Sequence, residues 1–190
     1  MAIKQLLTVA DYDDYVRHVT PEAPTPELIN GRIVVAARPV VRHARYLRQI
    51  LRALSNYIDE HHLAGEAFPE IEVVLDEHNV VVPDLVYVAR ESPLGRLTDQ
   101  RLYGAPEWAC EIASPSTWSL DTGEKYLAYL GAGVREYWLV NPDLAAGERF
   151  QVFERVEEGT VSGKPTFRHI EGGPAALRPF PGIQIDAALL

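Results

Sequence analysis

Residues 80–90 read VVVPDLVYVAR, a run of valine, leucine and tyrosine with the composition of a β-strand, broken near its middle by Pro83 and Asp84. Proline removes a donor from a strand ladder, and aspartate fills a pleated, half-buried surface poorly. Two readings are open. One is an edge strand carrying a solvated acid; the other is an element whose local rule is broken for a functional reason.

The neighbouring segments supply a context. EIEVVL (70–75) is a strand joined to the first across DEHN (76–79), and residues 91–104 form a charged connection with several turn formers. EWACEIAS (107–114) is a further strand stopped by Pro115. SLDTGEKYLAYLGAG (119–133) predicts a helix with Ser119 or Asp121 near its N-cap and glycines at its end. VREYWLV (134–140) follows as a buried strand ended by NPD, so the helix is predicted to be a right-handed crossover.

Towards the N-terminus, LTVADYDDYV (7–16) predicts a short helix, with Thr8 and Asp11 at capping-box spacing. In ELINGRIVVA (27–36), Asn30-Gly31 between apolar runs is a hairpin signal, because both turn positions need positive φ. VRHARYLRQILRALSNYIDEHH (41–62) is an amphipathic helix with Tyr46, Leu47, Ile50, Leu51, Leu54, Tyr57 and Ile58 on one side. Arg42, Arg45, Arg48 and Arg52 gather on another side, and Gly65 closes the helical region. RFQVFERV (149–156) and GIQID (182–186) read as late strands. The layout is mixed α+β: a central mixed sheet flanked by helices, with an extra N-terminal hairpin and C-terminal strands.

At 190 residues and 47% hydrophobic, the chain suits one buried core, hence a single domain 1–190 whose central block is residues 66–142. The formal charge of −9 argues against a large basic surface held on nucleic acid by phosphate contacts alone. It leaves room for a local basic groove or for an acidic pocket filled by cations. Cys110 is the sole cysteine, which excludes an intrachain disulfide and a thiol-rich metal site and makes the cytoplasm the expected home. The first residues lack a signal-peptide pattern, and no apolar run has the length of a bilayer span.

Alternation assigns faces. Asp84, Val86 and Val88 share one face of their strand, and Glu111 shares a face with Ala109 and Ala113, whose small side chains leave space for a ligand. Two carboxylates on adjacent rigid strands would make a hard-cation site suited to magnesium or manganese; two unrelated surface acids would make nothing. Lys125, in the first turns of the following helix, would lie near Glu111 and could orient or deprotonate a water, or else pair with Asp121 at i,i+4.

Together, VVPDLVYVAR (81–90), GAPEWACEIASPST (104–117), DTGEKYLAYLGAGVREYWLVNP (121–142) and the upstream PELINGRIVV (26–35) resemble the Uma-type family of putative restriction endonucleases. That family lies within the PD-(D/E)XK nuclease superfamily. The resemblance runs from about Thr8 to the closing PGIQID and implies a restriction-endonuclease-like core. It implies metal-dependent cleavage of nucleic acid, DNA before RNA, with Mg2+ or Mn2+ held by Asp84 and Glu111. Asp84 matches the PD aspartate and Glu111 the second acid; the lysine usual two residues later is Ala113 here, and its role maps to Lys125. Glu27 matches a family acid and would complete the catalytic set, although on chemistry alone it reads as an exposed hairpin glutamate. His43 also matches a family position.

Other readings stay beside these. Glu72 reaches the site only if the strand parity or a bulge allows it. The four arginines are either a phosphate track or a solvated face, and Tyr129 either supports the pocket or packs the core. Cys110 points away from Glu111 and reads as a small core residue. His61 and His62 cannot share a helix face, and no G-x-S-x-G elbow is present. Two rival functions remain: a non-catalytic nucleic-acid-binding or regulatory module on the same fold, and a metal-free hydrolase with paired carboxylates. A nuclease that cuts both strands would leave room for a homodimer.

Overall fold

Pro83 and Asp84 do not interrupt one strand; they stand where the chain leaves one sheet and enters another. The computed structural model describes residues 5–20, 22–145, 147–157, 164–170 and 180. Chain order begins with α1 (Val9–Val16), β1 (Pro26–Ile29), β2 (Arg32–Val35) and α2 (Val41–Glu60). It continues through β3 (Gly65–Pro69), β4 (Val73–Asp76), β5 (Asn79–Val81) and β6 (Leu85–Ala89). Then come β7 (Gly95–Leu97), β8 (Leu102–Gly104), β9 (Trp108–Ile112), α3 (Trp118–Asp121) and α4 (Glu124–Ala132). The last described elements are β10 (Glu136–Val140), β11 (Phe150–Val156) and β12 (Thr166–Ile170).

The mixed α+β class holds, but the strands form two six-stranded sheets where the sequence reading expected one. The first has the order β2-β1-β5-β4-β8-β7, the second β12-β11-β10-β9-β6-β3. Within residues 80–90, β5 therefore belongs to the first sheet and β6 to the second. The missing N–H of Pro83 costs no ladder bond, because no ladder runs through the junction. Both sheets are mixed: β4 pairs parallel with β8, and β9 with β10. The connection between parallel β9 and β10 passes through α3 and α4.

Side-chain alternation sorts the core into layers. On one face of the second sheet, Leu85, Tyr87, Trp108, Cys110 and Trp138 pack against Tyr46, Ile50 and Leu54 of α2. On the other, Val86, Val88, Ala109 and Leu139 meet Val73 and Val81 of the first sheet and Tyr129 of α4. In the second sheet, β6, β9 and β10 are thus buried on both faces. That is why its central strands are almost continuously apolar.

Several local readings match. The capping box of Thr8 and Asp11 is formed, and α4 ends on Gly133 in the left-handed region. Three readings need correction. Gly65 does not close α2, which ends at Glu60; it opens β3, an edge strand paired with β6. Residues 91–104 contain the β7–β8 hairpin, which extends the first sheet. The helix expected over 119–133 is divided into α3 and α4 at Thr122-Gly123. The expected strand GIQID lies outside the described residues.

The β1–β2 turn has Asn30 at φ 48° and Gly31 at φ 66°, as an Asn-Gly hairpin requires. A Cβ at Gly31 would also fall 2.6 Å from Cβ and 3.0 Å from Cα of Leu6. Gly31→Ala is therefore expected to cost about 1–3 kcal/mol, read as a lowered urea midpoint with an unchanged m-value.

Candidate active site

The junction that separates the sheets also exposes polar groups, and each finds a partner. Val82 N–H, just past the end of β5, donates to Glu27 Oε1 at 2.7 Å. Ile112 N–H, at the end of β9, donates to Asp84 Oδ2 at 2.6 Å. The pairing of Leu85 with Cys110 in the antiparallel β6–β9 ladder continues to put Asp84 opposite Glu111. Two acids 27 residues apart thus meet across neighbouring strands, on the face where Ala109 and Ala113 leave space.

Lys125 gathers the rest. Its Nζ lies 2.6 Å from Glu111 Oε1 and 2.9 Å from Glu27 Oε1, with the lysine side chain only 4% exposed. Glu27 is buried, not the exposed hairpin residue that its position allowed. The hairpin is clamped onto α4: Asn30 Nδ2 donates to Glu124 Oε2 at 2.9 Å, and Arg32 pairs with the same carboxylate. That clamp carries Glu27 to Lys125. The reading of Lys125 as a surface i,i+4 partner of Asp121 fails, because Asp121 is itself buried.

Asp84 is held from its other side by His43, whose Nε2 lies 3.0 Å from Oδ1. His43 sits in the first turn of α2, and its buried Nδ1 has no hydrogen-bond partner among the described residues. Burial alone would lower the imidazole's pKa, but the bond to Asp84 and the charges of Asp84, Glu70 and Asp121 outweigh it and raise it.

Glu72 goes elsewhere. Its carboxylate lies 2.9 Å from the Tyr12 hydroxyl and 3.2 Å from Arg101 Nε, so it anchors α1 and is not in direct contact with Lys125. Tyr129 has two roles: it packs the core, and its hydroxyl donates to Glu111 Oε1 at 2.5 Å. Burial and the adjacent Glu111 keep that phenol protonated, well above the ordinary range. Cys110 lies on the opposite face, and burial pushes its thiol up, in keeping with an inert core residue. His61 stacks on Tyr57 at 3.8 Å, away from the acids.

Electrostatics dominates this pocket. Burial pushes the Glu111 carboxyl well above its usual range; Lys125 opposes, while Asp121, Asp84 and Glu27 add to the rise. Lys125 is moved up despite burial, by Glu111, Glu27 and Asp121. The two adjacent carboxyl groups thus favour its ammonium form, which donates. In ionised form Glu27, Asp84, Glu111 and Asp121 bring four negative charges against the ammonium of Lys125 and, when protonated, His43. The surplus is anionic.

That surplus is a test of fit for a divalent cation. Among the described residues, no three His, Cys, Asp or Glu side chains form a ready-made cage. Magnesium does not need one, because it is commonly held by one or two carboxylates and completed by waters and phosphate oxygens. Asp84 and Glu111 have that chemistry, and Glu111 Oε2 has no hydrogen-bond partner among the described residues. The donor set fits.

Asp121 was missed as a site residue because the sequence places it at a helix start, where aspartate is ordinary. Burial raises its carboxyl to about 6, against the pull of Lys125 and a hydrogen bond from Thr117. Since the folded pKa lies above the unfolded one, stability falls as pH rises through that interval, and the loss is complete above the folded value. Asp121→Asn should therefore stabilise the cation-free protein at pH 8 by about 1–3 kcal/mol, an advantage that vanishes below about pH 4 in thermal melts.

Three comparisons with known proteins bear on this geometry. A family model described as "Uma2: Putative restriction endonuclease" matches residues 9–188. The crystal structure of a putative nuclease belonging to DUF820 from Anabaena variabilis ATCC 29413 superposes with a TM-score of 0.65 at 22% identity. The match covers 94% of this chain and 91% of that one, and at such identity the likeness is one of fold. No curated protein matches the chain.

Proposed function

The chain belongs to the Uma2 family of putative restriction endonucleases, and on that premise we propose that it is a metal-dependent endonuclease acting on nucleic acid, DNA before RNA. The observation that carries the proposal is the gathering of four carboxyl groups, Glu27, Glu111 and Asp121 buried and Asp84 partly so, about the single ammonium of Lys125. When these groups ionise, the excess of charge is costly in a low-dielectric interior and is relieved either by protonation, the direction in which burial moves Glu111 and Asp121, or by a bound cation.

Asp84 and Glu111 would hold Mg2+ or Mn2+, which when bound activates a water and offsets charge on the scissile phosphate. The chain's own groups do the positioning. His43 and the Ile112 amide fix Asp84; Lys125 fixes Glu111 and supplies a donor for the negative charge that builds up on the phosphate. Glu27 holds Lys125 from the far side. The site draws on β1 and α2 as well as the 66–142 block, so residues 1–190 act as one unit in this reading.

A polyanionic substrate has a matching surface. Residues 35–58 contain five arginines and no acid, in a chain whose net charge is −9. Arg45, Arg48 and Arg52 are exposed along α2 and form no ion pair among the described residues, whereas Arg42 pairs with Asp143. The first turn of the same helix delivers His43 to Asp84. Among the described residues no helix is long and apolar enough to cross a membrane. The buried lone Cys110 suits the cytoplasm, and a cut through both strands would bring two copies of the chain together.

Incubation with single- and double-stranded DNA and RNA, in Mg2+, Mn2+ or chelator, tests the proposal. Cleavage should need the cation, vanish in Asp84→Ala, and fall by about 10²–10³ in Lys125→Met. Binding without cleavage in every metal would reassign the chain to a non-catalytic binding module, and chelator-resistant cleavage would remove the cation from the mechanism. Separately, the combined Arg45→Ala, Arg48→Ala and Arg52→Ala variant should weaken binding alike for all sequences. Its slope of log affinity against log salt should flatten by roughly 2–3, as expected for three lost phosphate contacts.

A further inference from the structure

We propose that Tyr129 is a positioning residue that selects which oxygen of Glu111 faces the cation; the proposal rests on the metal-site reading above. The tyrosine hydroxyl lies 2.5 Å from Glu111 Oε1, and Lys125 Nζ lies 2.6 Å from the same atom. Two donors on one oxygen saturate it and fix the carboxylate plane. Oε2, with no partner among the described residues, is left as the acceptor that a hard cation would use.

The arrangement is built into the fold. Tyr129 is one helical turn after Lys125, so both side chains leave the same face of α4. Tyr129 is fully buried, with its ring 5.2 Å from that of Tyr137. The hydroxyl therefore has no freedom to follow Glu111 if the carboxylate rotates. Deleting it leaves Lys125 alone on Oε1, and a single donor does not fix the plane.

Tyr137 provides an internal control. It is an equally buried tyrosine in the same aromatic cluster, but its hydroxyl donates to the backbone carbonyl of Asp121 at 3.0 Å and not to Glu111. Loss of either hydroxyl removes one buried hydrogen bond; only Tyr129 touches the proposed ligand.

Titration of Mn2+ into the cation-free full-length chain, followed calorimetrically alongside the thermal midpoint, separates the outcomes. Tyr129→Phe should weaken Mn2+ binding about 10- to 100-fold, while Tyr137→Phe, with a comparable thermal midpoint, should leave the affinity within about twofold of the parent's. Unchanged affinity in Tyr129→Phe, or an equal loss in both variants, overturns the positioning role and leaves the metal site itself standing. Absence of any saturable Mn2+ binding by the unaltered protein, with Asp84→Ala indistinguishable from it, overturns the metal-site reading and the role of Tyr129 with it.

Discussion

The ammonium of Lys125, buried between Glu111 and Glu27, is the contact on which the rest of this protein turns. Stripping water from one such group costs several kcal/mol, so it persists only where close partners of opposite charge offset the loss. Those partners come from β9 and β1, and the lysine comes from α4. One interaction therefore ties together an element of each sheet and the crossover helix. Removal of the lysine would leave two buried carboxyl groups without the cation between them.

The two-sheet architecture makes this contact possible. If residues 80–90 formed one continuous strand, β5 and β6 would lie in the same sheet, and β1 could not be brought over the end of β9. Breaking the strand at Pro83-Asp84 instead lets β5 carry β1 beside the second sheet. The bond from Val82 N–H to Glu27 ties that approach to the break itself. At the same break the Asp84 carbonyl accepts from Glu70 N–H, while its side chain takes the Ile112 amide on one oxygen and His43 on the other. A feature that looks like a defect in a strand is a joint between sheets with a carboxylate placed on it.

Much of the local structure could be read from the residues. Thr8 with Asp11, Asn30 with Gly31, the apolar stripe of α2 and the alternation around Glu111 each follow from rules acting over a few positions. What escaped was short or marginal. β3 is a half-exposed edge strand, and β7 and β8 have three residues each, too few for a period to register. The burial of Glu27 escaped because nothing in PELI distinguishes an acid facing solvent from one facing a lysine 98 positions away. His43 and Asp121 look like unremarkable helix-start residues until α2 and α3 converge on Asp84 and Lys125.

Periodicity and turn chemistry were enough to give the kinds of element and the parity of Asp84 and Glu111, because each depends on spacing along the chain; the resemblance to the family was carried separately, by its matching motifs. Which strands share a sheet, which acids lose their water and which cation answers them were settled by the folded arrangement. Those outcomes depend on burial and on distances of 2.6–3.0 Å between groups far apart in the chain. No short-range pattern encodes the dielectric in which a carboxylate will find itself.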